Sequence, residues 1–459
     1  MADLISALPD DLLLQVLGRL PLTAAAARTS LLSRRWRGLW TRLPNITFRE
    51  VALDRLGSAL ASLRDAAVGP GVPFLDIAFD SAQAAAGVDD GFTRDGLQKR
   101  VLAGLPSLLH AAAGLSPVEF HLALPRRLDV GADVELPRFH RATSIHLYAL
   151  NLRLTLPPST GGFPKLETLS LSGYRVDLAA LVRHCPCLRV LRVTQATLGA
   201  DINIRSESLQ KLFLRTNETR RWTDSINIEA PKLKRLTLLF RTDTGARLSV
   251  SLVAPLLEKV SWCCSYATKG AGLAPWGLSM ARLYAAESLG QRVTTCAGED
   301  SRSSQLSNVN GPVHAQLNFQ QQIEKHLVTD FAVLDLTLVY DDPWRSHRHG
   351  FGPFVLHLLE MHRIRAATRR LQIQFIRHQV KEKCPVNCPC DEPKNWRSKD
   401  ISLINLEEVE IKGFVGEDHE FDFLRVIFRC APMLKKMCLW VSGEATTGSM
   451  HISESYVLT

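Results

Sequence analysis

The sequence predicts an α/β (α+β) solenoid: three short N-terminal helices, then an irregular arc of repeats with parallel strands, which a C-terminal region continues. Three observations predict it. A phrase of proline, any residue, leucine, two residues, an aliphatic, one residue and an apolar recurs through the middle of the chain, its first leucines at 166, 188, 209, 233 and 257. Ahead of it, residues 4–48 space their leucines helically between prolines, and behind it helical and alternating segments follow one another as in a single longer repeat.

The first helix opens at Leu8-Pro9, where proline's missing N–H is no loss. Asp10 and Asp11 then set negative charge at the positive end of the helix dipole. Leu12 and Val16 form one i,i+4 pair, and Leu13, Leu17 and Leu20 a second row, so two neighbouring faces are apolar. A second helix is entered at Pro21, with Thr23 as N-cap of the alanine run 24–27. Ser33 is placed to cap a third, in which Trp36 and Trp40 are i,i+4 neighbours beside Leu39. Roughly 40 residues cannot bury two tryptophans and this many leucines unaided. One apolar face packs at home; the other is expected to need a partner.

The order Leu8-Pro9, Leu12, Val16, Leu20-Pro21, Arg28-Thr29-Ser30, Leu32-Ser33-Arg34-Arg35-Trp36-Arg37 and Leu39-Trp40 resembles the F-box, in particular its plant type. The resemblance implies docking on a Skp-type adaptor, which a cullin and a RING protein join to form a ubiquitin ligase. It places adaptor contacts at Leu8, Pro9, Leu12, Val16, Leu20, Pro21, Ser33, Trp36, Leu39 and Trp40. The chain departs from the pattern at Ala24, where relatives often carry an acidic residue and where Thr23 is read as its substitute.

The recurring phrase appears as Pro164, Leu166, Leu169, Leu171; as Pro186, Leu188, Leu191, Val193; as Pro231, Leu233, Leu236, Leu238; and as Pro255, Leu257, Val260, Trp262. A copy without proline sits at Leu209, Leu212 and Leu214. This period is that of a leucine-rich repeat. Alternation buries one side chain of each pair in a short strand, and proline, which cannot donate to a ladder, fits just before it. No repeat buries its leucines alone, so each must stack on the next. Looser strands are expected at residues 74–79, 118–124 and 145–147, and helices at 52–64 and 93–109. After Trp262 the period fails, and residues 290–316, rich in Ser, Gly and Asn, read as a loop. A strand at 331–339, a helix at 353–365 and a strand at 371–375 restore the order.

The chain has 459 residues, 46% of them hydrophobic, enough for a large buried core, and no apolar run reaches the eighteen residues of a membrane span. Without a basic, apolar leader the expected location is cytoplasm, nucleus or both. Ten scattered cysteines fit reduced thiols. A net charge of +9 raises nucleic acid as a partner, but 55 basic residues are interleaved with 46 acidic ones, so the charge argues for it only weakly.

Leu406, Val409, Ile411, Gly413 and Phe414, followed by Pro432, Leu434, Met437 and Leu439, resemble the FBD region found downstream of F-box and leucine-rich repeats in plants. The expected divisions are an F-box at 4–48, repeats at 70–345 and an FBD-containing region at 346–459. Cys384, Cys388 and Cys390, with His378 upstream, offer zinc-type ligands, but C-x3-C-x-C lacks paired knuckles, and the reading is a loop of thiols with no metal and no cofactor. Arg348-His349-Gly350 is similar to the RHG of histidine phosphatases but lies between two repeat elements, so no catalytic residue is assigned. Target contacts are placed at Arg220, Arg221, Trp222, Trp344, Arg345, His347, Arg348 and His349, since Arg and Trp dominate interface hot spots. The expected function is substrate recognition in an SCF-type (Skp–cullin–F-box) ubiquitin ligase. The alternative is a basic repeat scaffold that binds protein or nucleic acid without ubiquitin transfer.

Overall fold

The computed structural model describes residues 8–49, 53–66, 71–79, 94–124, 132–149, 151–156, 162–216, 223–243, 249–267, 280–286, 332–340, 347–348, 351–377, 382–383, 394–441 and 455–458. The chain divides into two compact units, one of residues 1–198 with 204–213, the other of 199–203 with 214–459. The loop expected at 290–316 lies outside the described residues.

In the first unit, α1 (Asp10–Gly18) and α2 (Thr23–Arg28) form where the sequence places them. The third helix does not form. Three single 3-10 turns replace it, at Thr29–Leu31, Arg34–Trp36 and Leu39–Arg42. Ser33 and Arg37 are extended, and Gly38, at φ +77, occupies the left-handed region open to glycine, so the Trp36 to Trp40 spacing crosses a break. Thr23 is not the cap either; Leu22 is, and the buried Thr23 Oγ1 accepts the Thr47 N–H at 2.7 Å. That bond ties α2 to β1 (Asn45–Arg49), the first strand of the sheet. The N-terminal module therefore runs into the array without a linker.

β1 pairs in parallel with β2 (Phe74–Ala78), and parallel pairing continues through β3 (Glu119–Ala123), β5 (Ser144–Tyr148), β7 (Thr168–Ser172) and β8 (Val190–Ala196), with β4 (Asp133–Glu135) beside β6 (Arg153–Thr155). Between β1 and β3 lie α3 (Leu53–Ala66) and α4 (Arg94–Gly114), which pack on each other; Leu56, Leu60 and Leu63 of the first and Val101, Leu105 and Leu108 of the second are buried. α4 runs past Pro106 to Gly114, five residues beyond the expected end. A shorter helix, α5 (Leu178–Arg183), is capped by Asp177, which accepts from the Ala180 N–H at 3.1 Å.

The recurring phrase has one structural cause. In the proline copies the first leucine's N–H closes a turn: Leu166 donates to the Phe163 carbonyl, Leu188 to Cys185, Leu233 to Ala230 and Leu257 to Ala254. In the copy without proline, the Leu209 N–H goes instead to the Ser206 hydroxyl at 3.2 Å. The next apolar positions then fall inward: Leu166, Leu169, Leu171, Leu188, Leu191 and Val193 are each 1% exposed or less. The leucine of the fourth proline copy, Leu257, is only half-buried, where the repetition begins to fail.

After β9 (Asp201–Arg205) and β10 (Lys211–Thr216), the second unit holds β11 (Ser225–Glu229) parallel to β13 (Ser249–Val253), and β12 (Arg235–Asp243) parallel to β14 (Lys259–Ala267). A strand that the sequence reading missed, β15 (Met280–Ala286), then pairs antiparallel with both β14 and β16 (Val333–Tyr340). Parallel order returns through β18 (Arg370–Arg377), β20 (Glu408–Phe414) and β21 (Lys436–Val441), with β17 (His347–Arg348) beside β19 (Glu382–Lys383). The tail strand β22 (Ser455–Leu458) lies antiparallel to β21. The helix expected at 353–365 is two, α6 (Gly352–Glu360) and α7 (His362–Ala367), because Met361 is extended between them. Gly352 lets α6 close on the fully buried Trp396, since a Cβ there would stand 2.9 Å from the indole. α8 (Asp418–Cys430) completes this core through Phe423, 4.9 Å from Phe351.

Candidate functional site: an exposed leucine face

α1 sorts its leucines sharply. Leu13 and Leu17 are at most 1% exposed, whereas Leu12, Val16 and Leu20 are 42, 51 and 37% exposed. Leu20 thus belongs with Leu12 and Val16, not with the row of Leu13 and Leu17 to which its spacing assigned it. Leu31 and Leu32, in and after the first 3-10 turn, are 88 and 68% exposed. Sequence reasoning did not place these two at the surface of interest. Adjacency alone gave no sign of it, since Leu358 and Leu359, also adjacent, are both fully buried. Pro9, Pro21 and Ser33 are exposed, while Leu8 and Trp40 are half-buried. Trp36 and Leu39 are buried within the module, 6 and 4% exposed.

Polar contacts hold this arrangement in place. Asp10, at the start of α1, is 3.0 Å from Arg35 and 3.3 Å from Arg42, and Arg35 also donates to the Leu8 carbonyl. One of the four arginines that marked the motif, Arg35, is thereby committed to fastening the 3-10 turns to α1.

Each unit carries a polar row on the side of its strands opposite the core. In the first unit, Asp76, His121, His146, Ser170 and Arg192 are cross-strand neighbours on β2, β3, β5, β7 and β8. Asp76 bonds Arg49 at 3.1 Å, and the Arg192 guanidinium lies 4.3 Å over the Phe213 ring. In the second unit, Glu410 accepts from Gln372 at 2.7 Å and from the Trp440 indole at 2.9 Å, with Lys412 at 3.4 Å. Burial pushes the Glu410 carboxyl up, but Lys412 and the hydrogen bonds of Gln372, Trp440 and Lys412 outweigh it and hold the group below its ordinary value.

Of the residues expected to touch a target, His347 and Arg348 form β17, paired with Glu382 and Lys383. Arg220, Arg221, Trp222, Trp344, Arg345 and His349 lie outside the described residues, as do His378, Cys384, Cys388 and Cys390. Among the described residues no helix is long and apolar enough to cross a membrane.

Comparison with known proteins agrees with this geometry. The F-box domain family matches residues 5–48, the leucine-rich repeats of FBD-associated F-box protein At5g56370 match 107–264, and the FBD family matches 403–439. Among curated relatives from Arabidopsis thaliana, the F-box/FBD/LRR-repeat protein At2g04230 is 61% identical over 46 residues, 10% of each chain. The FBD-associated F-box protein At5g56690 is 29% identical over 197 residues, 41% of this chain and 46% of that one. A third, At1g55030, is 27% identical over 252 residues, 52% of this chain and 54% of that one. The matched stretches thus span about half the length of the longer-matching relatives or less. All three signatures occur in this order along the chain: an F-box, leucine-rich repeats and an FBD region, the combination that the names of its relatives carry.

Proposed function

We propose that this chain is the substrate-recognition subunit of an SCF-type ubiquitin ligase. Its F-box docks a Skp-type adaptor, and through it the cullin and RING subunits, while the strand-lined repeats, continuing as a solenoid arc, hold a target protein. The observation that carries the reading is the exposed set Leu12, Val16, Leu20, Leu31 and Leu32 on a domain whose neighbouring leucines are sealed. Isolated exposed aliphatic side chains are ordinary, but four leucines and a valine on one module of some 40 residues are a surface built to be covered. In this reading the chain supplies no nucleophile. It acts by position, raising the local concentration of a target lysine near activated ubiquitin. The F-box is taken as 4–48, the repeats as 70–345 and the FBD-containing region as 346–459, in the cytoplasm or nucleus.

The test is binding of the purified full chain to a purified Skp-type adaptor. Point substitutions at the leucine face are the right perturbation, because removal of residues 1–48 would also take Ile46 and Phe48, which are buried in β1. Saturable binding that Leu31→Asp/Leu32→Asp abolishes supports the reading. No adaptor binding, together with salt-sensitive binding to DNA or RNA, sinks it and favours a basic scaffold.

A further inference from the structure

Glu119 and His121 on β3 and His146 on β5 each offer one ligand atom, and these atoms all lie within 4.8 Å of one another. The strand period puts Glu119 and His121 on one face, and the parallel register sets His146 directly beside His121. His121 Nε2 is 2.8 Å from Glu119 Oε1, His146 Nε2 is 3.0 Å from the Ser144 hydroxyl, and the two imidazole centroids are 4.4 Å apart. Phe74 on β2 meets the His121 ring at 5.1 Å, edge to face, and limits its rotation. Burial first and His121 second lower the pKa of His146, with Glu119 opposing them. A neutral imidazole is the form that binds metal.

We propose that Glu119, His121 and His146 form a binding site for a divalent transition-metal cation, zinc being the best match. Two imidazole nitrogens and one carboxylate oxygen are a zinc donor set, at ~2.0–2.2 Å from the ion, which places tetrahedral ligands ~3.3 Å apart. The three side chains are half-exposed, so small torsional shifts bring their atoms to that spacing. Calcium and magnesium prefer all-oxygen shells and do not fit two imidazoles. Asp76, the acid beside His121, is engaged by Arg49 and is not counted as a ligand. Three protein ligands leave a coordination position on the polar strand face, open to water or to an acidic or imidazole side chain of a bound protein. The site stands on the geometry of β3 and β5 and does not depend on how the N-terminal domain is read.

The experiment is equilibrium dialysis of the chelator-stripped full chain against zinc ion, comparing wild type with His121→Ala/His146→Ala, Glu119→Gln and His146→Asp. Cysteines elsewhere contribute equally to every version and cancel in the difference. The wild type is expected to bind one equivalent more than the double variant. Glu119→Gln should weaken that equivalent tenfold or more, and His146→Asp, which restores an oxygen ligand, should retain it. Equal stoichiometry in wild type and double variant overturns the proposal. Should the double variant fail to fold, the histidine proton resonances of the wild type decide: one equivalent of zinc must shift two imidazoles together, and unchanged histidine signals refute the site.

Discussion

Replacing Leu31 and Leu32 together by alanine separates docking from folding. Fully burying a leucine side chain contributes ~1.5–3 kcal/mol. With 88 and 68% of these two residues open to water, and the alanine methyls retained, the pair should contribute about 2–4 kcal/mol to an interface that covers it. The expected effect is a ~30- to ~700-fold weaker Kd for the Skp-type adaptor, read by calorimetry or surface binding. Folding stability should change by no more than ~0.5 kcal/mol, as for other surface substitutions. Leu13→Ala is the opposite control: at 0% exposure it should cost ~2–5 kcal/mol of folding through the cavity it leaves. The reasoning is refuted if the double variant binds the adaptor within threefold of wild type, or if its melting temperature falls as far as that of Leu13→Ala.

Glu420, fully buried at the start of α8, accepts the N–H groups of Val415, Gly416 and Glu417 at 2.7–3.1 Å; Glu420→Ala should cost ~3 kcal/mol or more in chemical denaturation, since each stranded donor carries a ~1–3 kcal/mol penalty. Because the native pKa of Glu410 is depressed, its contribution is full above the unfolded carboxylate pKa of ~4.3 and is lost as pH falls through the lower native value. Glu410→Gln should accordingly flatten the loss of stability in acid, and identical acid melting curves would contradict the assignment. Cys185 is 1% exposed and burial pushes its thiol up to about 12, whereas Cys187 is exposed. Maleimide at pH 7.5 should label Cys187 and spare Cys185, as peptide mass spectrometry will show.

The repeats were readable because one local device, a leucine N–H closing a turn just before the strand, recurs in all four proline copies, and a serine hydroxyl takes the carbonyl's place in the fifth. The third helix of the F-box was misread because helical spacing of Trp36 and Trp40 says nothing of the left-handed turn at Gly38 between them. β15 escaped notice for another reason: Met280, Ala281, Leu283 and Ala285 are good helix formers, and only pairing with strands on both sides makes the segment extended. The Glu119, His121 and His146 cluster is spread over two strands, so no spacing motif reveals it. It appears only once the register of β3 and β5 is known.

The two reversals at β15 have a consequence for the half of the chain that follows. One antiparallel pairing would turn every later strand upside down; two in succession restore the original sense. β16, β18, β20 and β21 therefore run in the same direction as β12 and β14, and their C-terminal ends share one edge of the sheet. The reversed strand is thus accommodated without changing the sense in which the later strands run, and the array can resume its one-strand repeat beyond it.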